Sequence, residues 1–235
     1  MATFEVQVEG LTGLSIGSSG TTPTQAELTE FLKDGVIDVT NRTLLANPMA
    51  AQQFQRVKST DTQGGIDING ATVISVLRES GTDGSSDGTT SWRICQPIAP
   101  VLQSRVVDPD SMHFASKYNP KYMIDDNSKI HVYPVPSANN GYKIYYVNNA
   151  PANKDGVSLT YAHNEIGYFA DNKVYLVVLY AGIKSLEAKM AEYVIDEEDV
   201  ELVQAISANL ASLKQQYERI FAPSQPQQQQ AGVAQ

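Results

Sequence analysis

Hydrophobic positions repeat with two different periods along the chain, and the period changes twice. Near the start, residues 3–9 alternate, and the apolar members of the alternation are Phe4, Val6 and Val8. This period of two predicts a half-buried strand. The glycine- and serine-rich stretch that follows offers no local hairpin partner, so the strand is expected to pair either within its own domain or with another chain.

A helix is predicted from Thr24 to about Leu45. Thr24 and Glu27 have the spacing of a capping box, in which each side chain bonds a backbone N–H of the other residue. The apolar stripe that follows at helical spacing consists of Leu28, Phe31, Leu32, Val36 and Val39. Gly35 lies inside this stripe, which predicts either a close helix–helix crossing or a kink.

Residues 57–150 carry short β-branched and aromatic runs separated by turn signals. The turn signals are Gly64-Gly65, Asn69-Gly70 and Asn140-Gly141. Strands are expected at residues 71–77, 92–95, 101–107, 129–135 and 142–147. Six or so short strands of this kind predict a compact antiparallel sheet or a small barrel. The tyrosines of this block are expected to fill its core or to form a protein interface.

Two long amphipathic helices are predicted after residue 171. The first reaches about Val194, and its apolar residues are Leu176, Leu179, Ile183, Leu186 and Met190. The second carries a stripe with coiled-coil-like spacing, made of Val203, Ile206, Leu210, Leu213, Tyr217 and Ile220. Because so few residues separate the two helices, they are expected to form an antiparallel hairpin.

These periods predict an α+β protein with a β-rich module inserted into a helical bundle. The bundle comprises the N-terminal helix and the C-terminal antiparallel hairpin. The expected parts are an extended arm at 1–23, the bundle at 24–56 and 171–221, the inserted antiparallel module at 57–170 and a tail at 222–235. The tail contains Pro223, Pro226 and four consecutive glutamines, and such a low-complexity segment cannot build a core.

The charge of the 235-residue chain follows the same division. The net charge of −9 splits into −4 for residues 1–45, −1 for residues 46–170 and −4 for residues 171–235. This balance argues against a general binder of nucleic acid or of anionic membranes. The longest apolar run has 10 residues, far fewer than a bilayer span needs. The first residues lack a basic start followed by an apolar block, so no secretory signal is expected.

No catalytic motif is present in the sequence. It contains no nucleotide-binding loop, no zinc-protease or serine-hydrolase motif and no pair of cysteines. Cys95 and His113 would make a nucleophile pair, but Cys95 lies in a predicted strand and is expected to be an inert core thiol. Asp108 and Asp110 are interpreted as a turn rather than as paired carboxylates. We therefore expect no enzyme activity, no cofactor and no metal site.

The order of elements resembles that of a known family. A capped first helix, an inserted β block and a C-terminal helix pair, over about residues 24–221, resemble the head-to-tail adaptor proteins of tailed bacteriophages, in particular the tail tubular protein A type. The resemblance implies a virion protein that forms a homo-oligomeric ring of twelve subunits between the portal protein and the tail or nozzle protein. The helical bundles would line a channel through which genomic DNA passes without specific binding. Assembly would take place in the host cytoplasm, with no membrane involved.

Candidate residues for these roles lie near both ends of the chain. For docking to the portal or to a neighbouring subunit they are Phe4, Val6, Val8, Phe221, Pro223 and Pro226. For an acidic channel wall that lets DNA slide they are Glu197, Glu198, Asp199 and Glu201. These acids equally suit the dipole of their own helix. The alternative function is another virion structural protein, such as a capsid decoration, tail-terminator or tail component.

Overall fold

The computed structural model describes residues 2–80, 91–138, 140–196 and 200–221. It combines helices with an antiparallel sheet, in agreement with the predicted α+β class. The chain divides into two compact units: residues 1–50 and 150–235 form unit 1, and residues 51–149 form unit 2. Residues 150–170, which the sequence analysis assigned to the β-rich module, thus belong to unit 1.

The bounds of the elements are as follows. The helices are α1 (Phe4–Thr12), α2 (Gln25–Ala46), α3 (Gln103–Val106), α4 (Val174–Asp196) and α5 (Val200–Phe221). The strands are β1 (Arg56–Thr60), β2 (Thr72–Glu79), β3 (Trp92–Ile94), β4 (Gln96–Pro97), β5 (Lys121–Ile124), β6 (Ile130–Tyr133) and β7 (Tyr142–Val147). Short 3₁₀ helices occupy Pro48–Gln53, Pro100–Leu102 and Asp171–Lys173.

The first element is a helix, so the predicted strand and extended arm at the N-terminus are wrong. The Thr3 side chain caps α1 by accepting a hydrogen bond from the Val6 backbone N–H, and Gly13 ends the helix at a φ of 72°. Phe4 and Val8 lie one turn apart and are fully buried, whereas Val6 is 54% exposed. Apolar residues at i and i+4 fit the period of a strand as well as that of a helix. In the folded chain this segment forms a helix because one helical face is buried.

The same substitution at two positions of α1 tests this assignment. Val8→Ala is expected to lower the free energy of unfolding by about 2 kcal/mol, because it removes two buried methyl groups and leaves a cavity. Val6→Ala is expected to change it by less than about 0.5 kcal/mol, because the site is exposed and alanine favours helix. Urea unfolding followed by far-UV circular dichroism measures both. Equal losses would contradict the helix, since a strand puts both side chains on one face.

Helix α2 forms as its local signals predict. The Thr24 backbone N–H donates to Glu27 Oε2 at 2.7 Å, and the Glu27 N–H donates to Thr24 Oγ1 at 3.3 Å, which completes the capping box. At Gly35, a Cβ atom would lie 3.1 Å from Tyr180 Cδ1 and 3.2 Å from Val177 Cγ1 of α4. Of the two roles considered for Gly35, the close helix–helix crossing is therefore the one observed.

Helix α4 contacts each of α1, α2 and α5. Along the contact with α5, Lys214 Nζ pairs with Glu187 Oε1 at 2.8 Å, and the ring of Tyr217 lies 5.9 Å from that of Tyr180. The later residue of α5 thus meets the earlier residue of α4. The two helices therefore run in opposite directions.

The described residues of unit 2 form two sheets. The four-stranded sheet has the order β1-β7-β2-β3, and its neighbouring strands are antiparallel. The three-stranded sheet has the order β4-β5-β6, in which β4 and β5 are parallel, so the prediction of an antiparallel module is wrong for this pair. The strand predicted at 101–107 is wrong: Pro100 begins a 3₁₀ turn that leads into α3. Proline is suited to the first helical position because its φ is already helical and it has no N–H to satisfy.

Successive side chains of a strand point to opposite faces of its sheet, so the three-stranded sheet of unit 2 packs on both of its faces. This gives unit 2 three layers. The core between the two sheets consists of Ile66, Ile68, Val76, Cys95, Ile130, Val132, Tyr142, Ile144 and Tyr146. On its other face, the three-stranded sheet packs Met123 and Tyr133 against Val106 and Ala115. The last two belong to residues 98–119, here termed the outer segment. The layers are therefore the four-stranded sheet, the three-stranded sheet and the outer segment.

Candidate docking surfaces

The residues considered for catalysis have structural roles in the fold. Cys95 lies in the core between the sheets, and burial raises the pKa of its thiol to about 12. The carbonyl oxygen of His113 accepts a hydrogen bond from Lys121 Nζ at 2.9 Å. The Asp108 carboxylate accepts from the Asp110 N–H at 3.1 Å, which is the predicted turn. Within the described residues, no three His, Cys, Asp or Glu side chains are grouped to hold a metal ion.

Cys95 is expected to resist alkylation in the native protein. The thiolate is the reactive form, and a pKa of about 12 leaves only about one thiol in ten thousand ionised at pH 8. Iodoacetamide at pH 8 should therefore label the protein in urea and leave the folded protein unlabelled, as measured by intact mass. Rapid stoichiometric labelling without urea would show that Cys95 is accessible.

The proposed N-terminal docking residues divide into buried and exposed ones. Phe4 and Val8 are fully buried, so their assignment to docking is wrong: α1 uses them to pack within its own chain. Val6 is exposed and keeps a surface for a partner. Pro223 and Pro226 lie outside the described residues.

Phe221 belongs to a cluster that fastens the last turn of α5 to α2. Arg42 Nε lies 2.8 Å from Asp38 Oδ2, and Arg42 Nη1 lies 3.0 Å from Glu218 Oε1. The guanidinium carbon of Arg42 is 5.2 Å from the ring centroid of Tyr217 and 5.6 Å from that of Phe221. The Tyr217 hydroxyl donates to Asp38, and burial raises the pKa of Tyr217. The cluster of Asp38, Arg42, Tyr217, Glu218 and Phe221 is here termed the α5 anchor. It combines cation–π stacking with ion pairs, whereas an isolated surface ion pair has no such stacking.

The acidic residues proposed for a channel wall fall at a gap in the described chain. Glu197, Glu198 and Asp199 lie outside the described residues, and of Glu201 only the helical backbone is described. The overall charge nevertheless divides sharply between the units. Unit 1 contains 17 acidic and 8 basic residues, whereas unit 2 contains 9 of each. The whole net charge of −9 therefore belongs to unit 1.

The outward face of the four-stranded sheet carries exposed apolar residues among the polar residues Ser59, Ser75, Glu79 and Lys143. Strand pairing sets Ile94 beside Leu77 and Val57 beside Tyr145 on this face, and Trp92 follows on the same side of β3. Ile94 is 72% exposed, Val57 52% and Trp92 37%. An antiparallel sheet that faces water normally carries polar residues on that side. The five apolar residues Val57, Leu77, Trp92, Ile94 and Tyr145 are here termed the open sheet face, and exposed apolar residues of this kind are typical of an interaction surface.

A second apolar surface lies on the outer segment. Within this segment Met112 is fully exposed, Val101 is 84% exposed, Val107 58% and Phe114 38%. These four residues are termed the outer patch. The four-stranded sheet and the outer segment are the first and the last layer of unit 2. The open sheet face and the outer patch therefore lie on opposite sides of this unit.

Neither surface was recognised in the sequence. The aromatic residues of the β block were expected in a core or an interface, and Tyr142 and Tyr146 are indeed buried. Trp92 and Ile94 alternate with Arg93, which is the signal of a strand with two different faces. The alternation does not say which face meets the core, because that depends on the sheet packed behind it.

No protein-family model matches this sequence, and no curated protein shows significant similarity to it. None of the described helices is both long enough and apolar enough to cross a membrane. The features that bear on function are the division of the chain, the placement of its charge and its exposed apolar surfaces.

Proposed function

We propose that this chain is a structural subunit of a tailed-bacteriophage virion, an adaptor that forms a ring between the portal protein and the tail. The observation that carries the proposal is the division of the chain. A helical, acidic unit made of residues 1–50 and 150–235 is interrupted by a neutral β unit made of residues 51–149. An inserted β module in a helical bundle is the organisation that the resemblance to head-to-tail adaptors implies.

The placement of charge suits a channel for DNA. A wall with a strong negative charge does not retain the phosphate backbone, so DNA can slide along it. All the net charge of −9 lies in unit 1, whose helices α1, α2 and α5 surround α4. In the proposed ring, helical bundles built on α4 face the channel. The 12 copies implied by the resemblance would surround it with acidic surface.

Attachment to the portal is assigned to the residues that follow α5. The α5 anchor holds Phe221 against Arg42, so the chain beyond Phe221 starts from a fixed position. Pro223 and Pro226 belong to that following segment. Val6, exposed on α1, is the remaining candidate near the other end.

The test combines this protein with a purified portal ring. Electron microscopy is expected to show a collar of twelvefold symmetry beneath the portal, adding about 300 kDa for twelve copies of 25.6 kDa. A chain ending at Phe221 is expected to lose at least about tenfold in affinity for the portal, since it lacks the docking segment. The matched control is Leu45→Ala at an exposed site of α2, which keeps that segment. Placement on the shell, or along the tail with sixfold or threefold symmetry, would contradict the adaptor role and favour the decoration or tail component.

A further inference from the structure

Charge decides which unit can bring copies of this chain together. Contacts between two copies of unit 1 would bring together two units that each carry a net charge of −9. Unit 2 has equal numbers of acids and bases, so contacts between two such units carry no net repulsion. Self-association through unit 2 therefore carries less net repulsion than self-association through unit 1.

The immediate surroundings of both apolar surfaces are also balanced in charge. Next to the open sheet face lie one acid, Glu79, and one base, Lys143, whose Nζ is 4.1 Å from the ring centroid of Trp92. Close to the outer patch in sequence lie two acids and two bases, which are Arg105, Asp108, Asp110 and Lys117. Neither surface selects an acidic or a basic partner, and both suit another neutral apolar surface.

The two surfaces lie on opposite sides of unit 2, which determines the symmetry of any contact between them. A contact between two different patches is heterologous, and it leaves one free patch at each end of a pair. Repetition then gives a closed ring or an open filament, whereas a contact of one patch with itself stops at a dimer. Unit 2 therefore has the two different surfaces that a heterologous contact requires.

The size of the surfaces fits the centre of such an interface. The exposed parts of each set of side chains amount to on the order of 400 Å², the range in which apolar patches mark interaction sites. A standard interface buries about 800 Å² per partner, with a polar rim around an apolar centre. Each surface supplies such a centre, and the charged residues beside it supply the rim.

We propose that copies of this chain associate head to tail through unit 2, the open sheet face of one copy packing on the outer patch of the next. This inference rests on the proposed ring, for which it names the contact between subunits. Ile94, the most exposed residue of the open sheet face, and Met112, the most exposed residue of the outer patch, are its central contacts.

Two substitutions in the full chain block one surface each. Ile94→Glu and Met112→Glu each place a carboxylate where the contact must exclude water. Each variant alone is expected to sediment as a monomer at concentrations at which the wild type forms higher oligomers. Both sites are exposed in the single chain, so far-UV circular dichroism is expected to match that of the wild type. Leu45→Glu, at an 85% exposed site of α2 in unit 1, is the matched control and is expected to assemble normally.

Mixing the two variants tests the head-to-tail direction. The Ile94→Glu copy keeps its outer patch, and the Met112→Glu copy keeps its open sheet face. One native contact can therefore form between them, and an equimolar mixture is expected to give a dimer and nothing larger. Because the contact is neutral, its dissociation constant is expected to change less than about threefold between low and high salt.

Several outcomes would overturn the inference. They are a wild-type chain that stays monomeric at high concentration, assembly that survives both unit 2 substitutions, loss of assembly with Leu45→Glu, and a mixture that remains monomeric. Each is measured without portal, so it is distinct from failure of the adaptor role. A chain that assembles through unit 2 but binds no portal would leave the head-to-tail contact standing and remove the proposed function.

Discussion

Replacing Gly167 by alanine is expected to lower the free energy of unfolding of unit 1 by about 4 kcal/mol. A Cβ atom on Gly167 would lie 2.2 Å from the carbonyl oxygen of Asn153 and 2.7 Å from its carbonyl carbon. Both are backbone atoms, so no side-chain rotation relieves the overlap. The close crossing of the backbone at Gly167 and Asn153 must open instead.

That crossing is tied in place by hydrogen bonds. The Gly167 N–H donates to the carbonyl oxygen of Ala152 at 2.8 Å. The side-chain oxygen of Asn153 accepts from the N–H groups of Asp155 at 3.0 Å and Val157 at 2.9 Å. Moving the Asn153 backbone disturbs these three bonds, each with a net contribution of about 1 kcal/mol. Separation of the two segments is therefore as costly as the steric overlap that it relieves.

Gly10→Ala is the matched control for Gly167→Ala. Gly10 lies in α1, and a Cβ atom there meets nothing within 4 Å. Alanine is expected to stabilise the protein at this position by about 0.5–1 kcal/mol, since glycine is a poor helix former. Urea unfolding followed by far-UV circular dichroism compares the two variants. A Gly167→Ala protein within about 1 kcal/mol of the wild type would contradict the close backbone contact.

Replacing Arg78 by alanine is expected to destabilise unit 2 by about 4 kcal/mol. Arg78 is buried in β2, where its Nε donates to the carbonyl oxygen of Pro134 and its Nη1 to that of Glu79, both at 2.8 Å. Burial lowers the pKa of this guanidinium. Its removal leaves a cavity and at least two carbonyl oxygens without their donor. Arg78→Lys is expected to recover about half of the lost stability, because a single ammonium group replaces the planar guanidinium with its several N–H donors.

Arg93→Ala supplies the comparison for Arg78→Ala. Arg93 is paired directly with Arg78 across β2 and β3, but its side chain is exposed. The same substitution there is expected to cost less than about 1 kcal/mol. Trp92 is the single tryptophan and lies in unit 2, so its fluorescence during urea unfolding reports on this unit. Equal midpoints for the two variants would show that the carbonyl contacts of Arg78 contribute little.

Local sequence signals correctly predicted the elements that are determined by interactions between residues close together in the chain. The capping box at Thr24 marks the start of α2 because both of its hydrogen bonds are made within one turn. The apolar stripes at helical spacing predicted two long helices, and buried Leu179 and Leu210 lie on those stripes. Of these two helices, only α5 buries a single face, whereas α4 is buried on several sides from Leu176 to Leu186. The acidic character of the helical parts is likewise a property of composition alone.

Some local patterns fit both a strand and a helix, and for these segments the prediction from sequence was wrong. Phe4, Val6 and Val8 alternate with polar residues, as in a strand. Phe4 and Val8 are also four residues apart, which is the spacing of one helical face. Val101 and Val107 were placed in a strand, although Pro100 begins a helical turn. In both cases the choice depends on what the segment packs against, which local periodicity does not contain.

By itself, the sequence determined the α+β class, the helix α2 with its cap, the two long C-terminal helices and the separation of acidic from neutral segments. Each follows from hydrogen bonds, spacings or charges between residues near one another in the chain. Only the tertiary structure decided that α1 is a helix, that Gly167 meets Asn153, and that unit 2 has three layers with the open sheet face and the outer patch on opposite sides. Those features arise from contacts between distant segments, where excluded volume and burial of apolar surface act between residues that no local pattern connects.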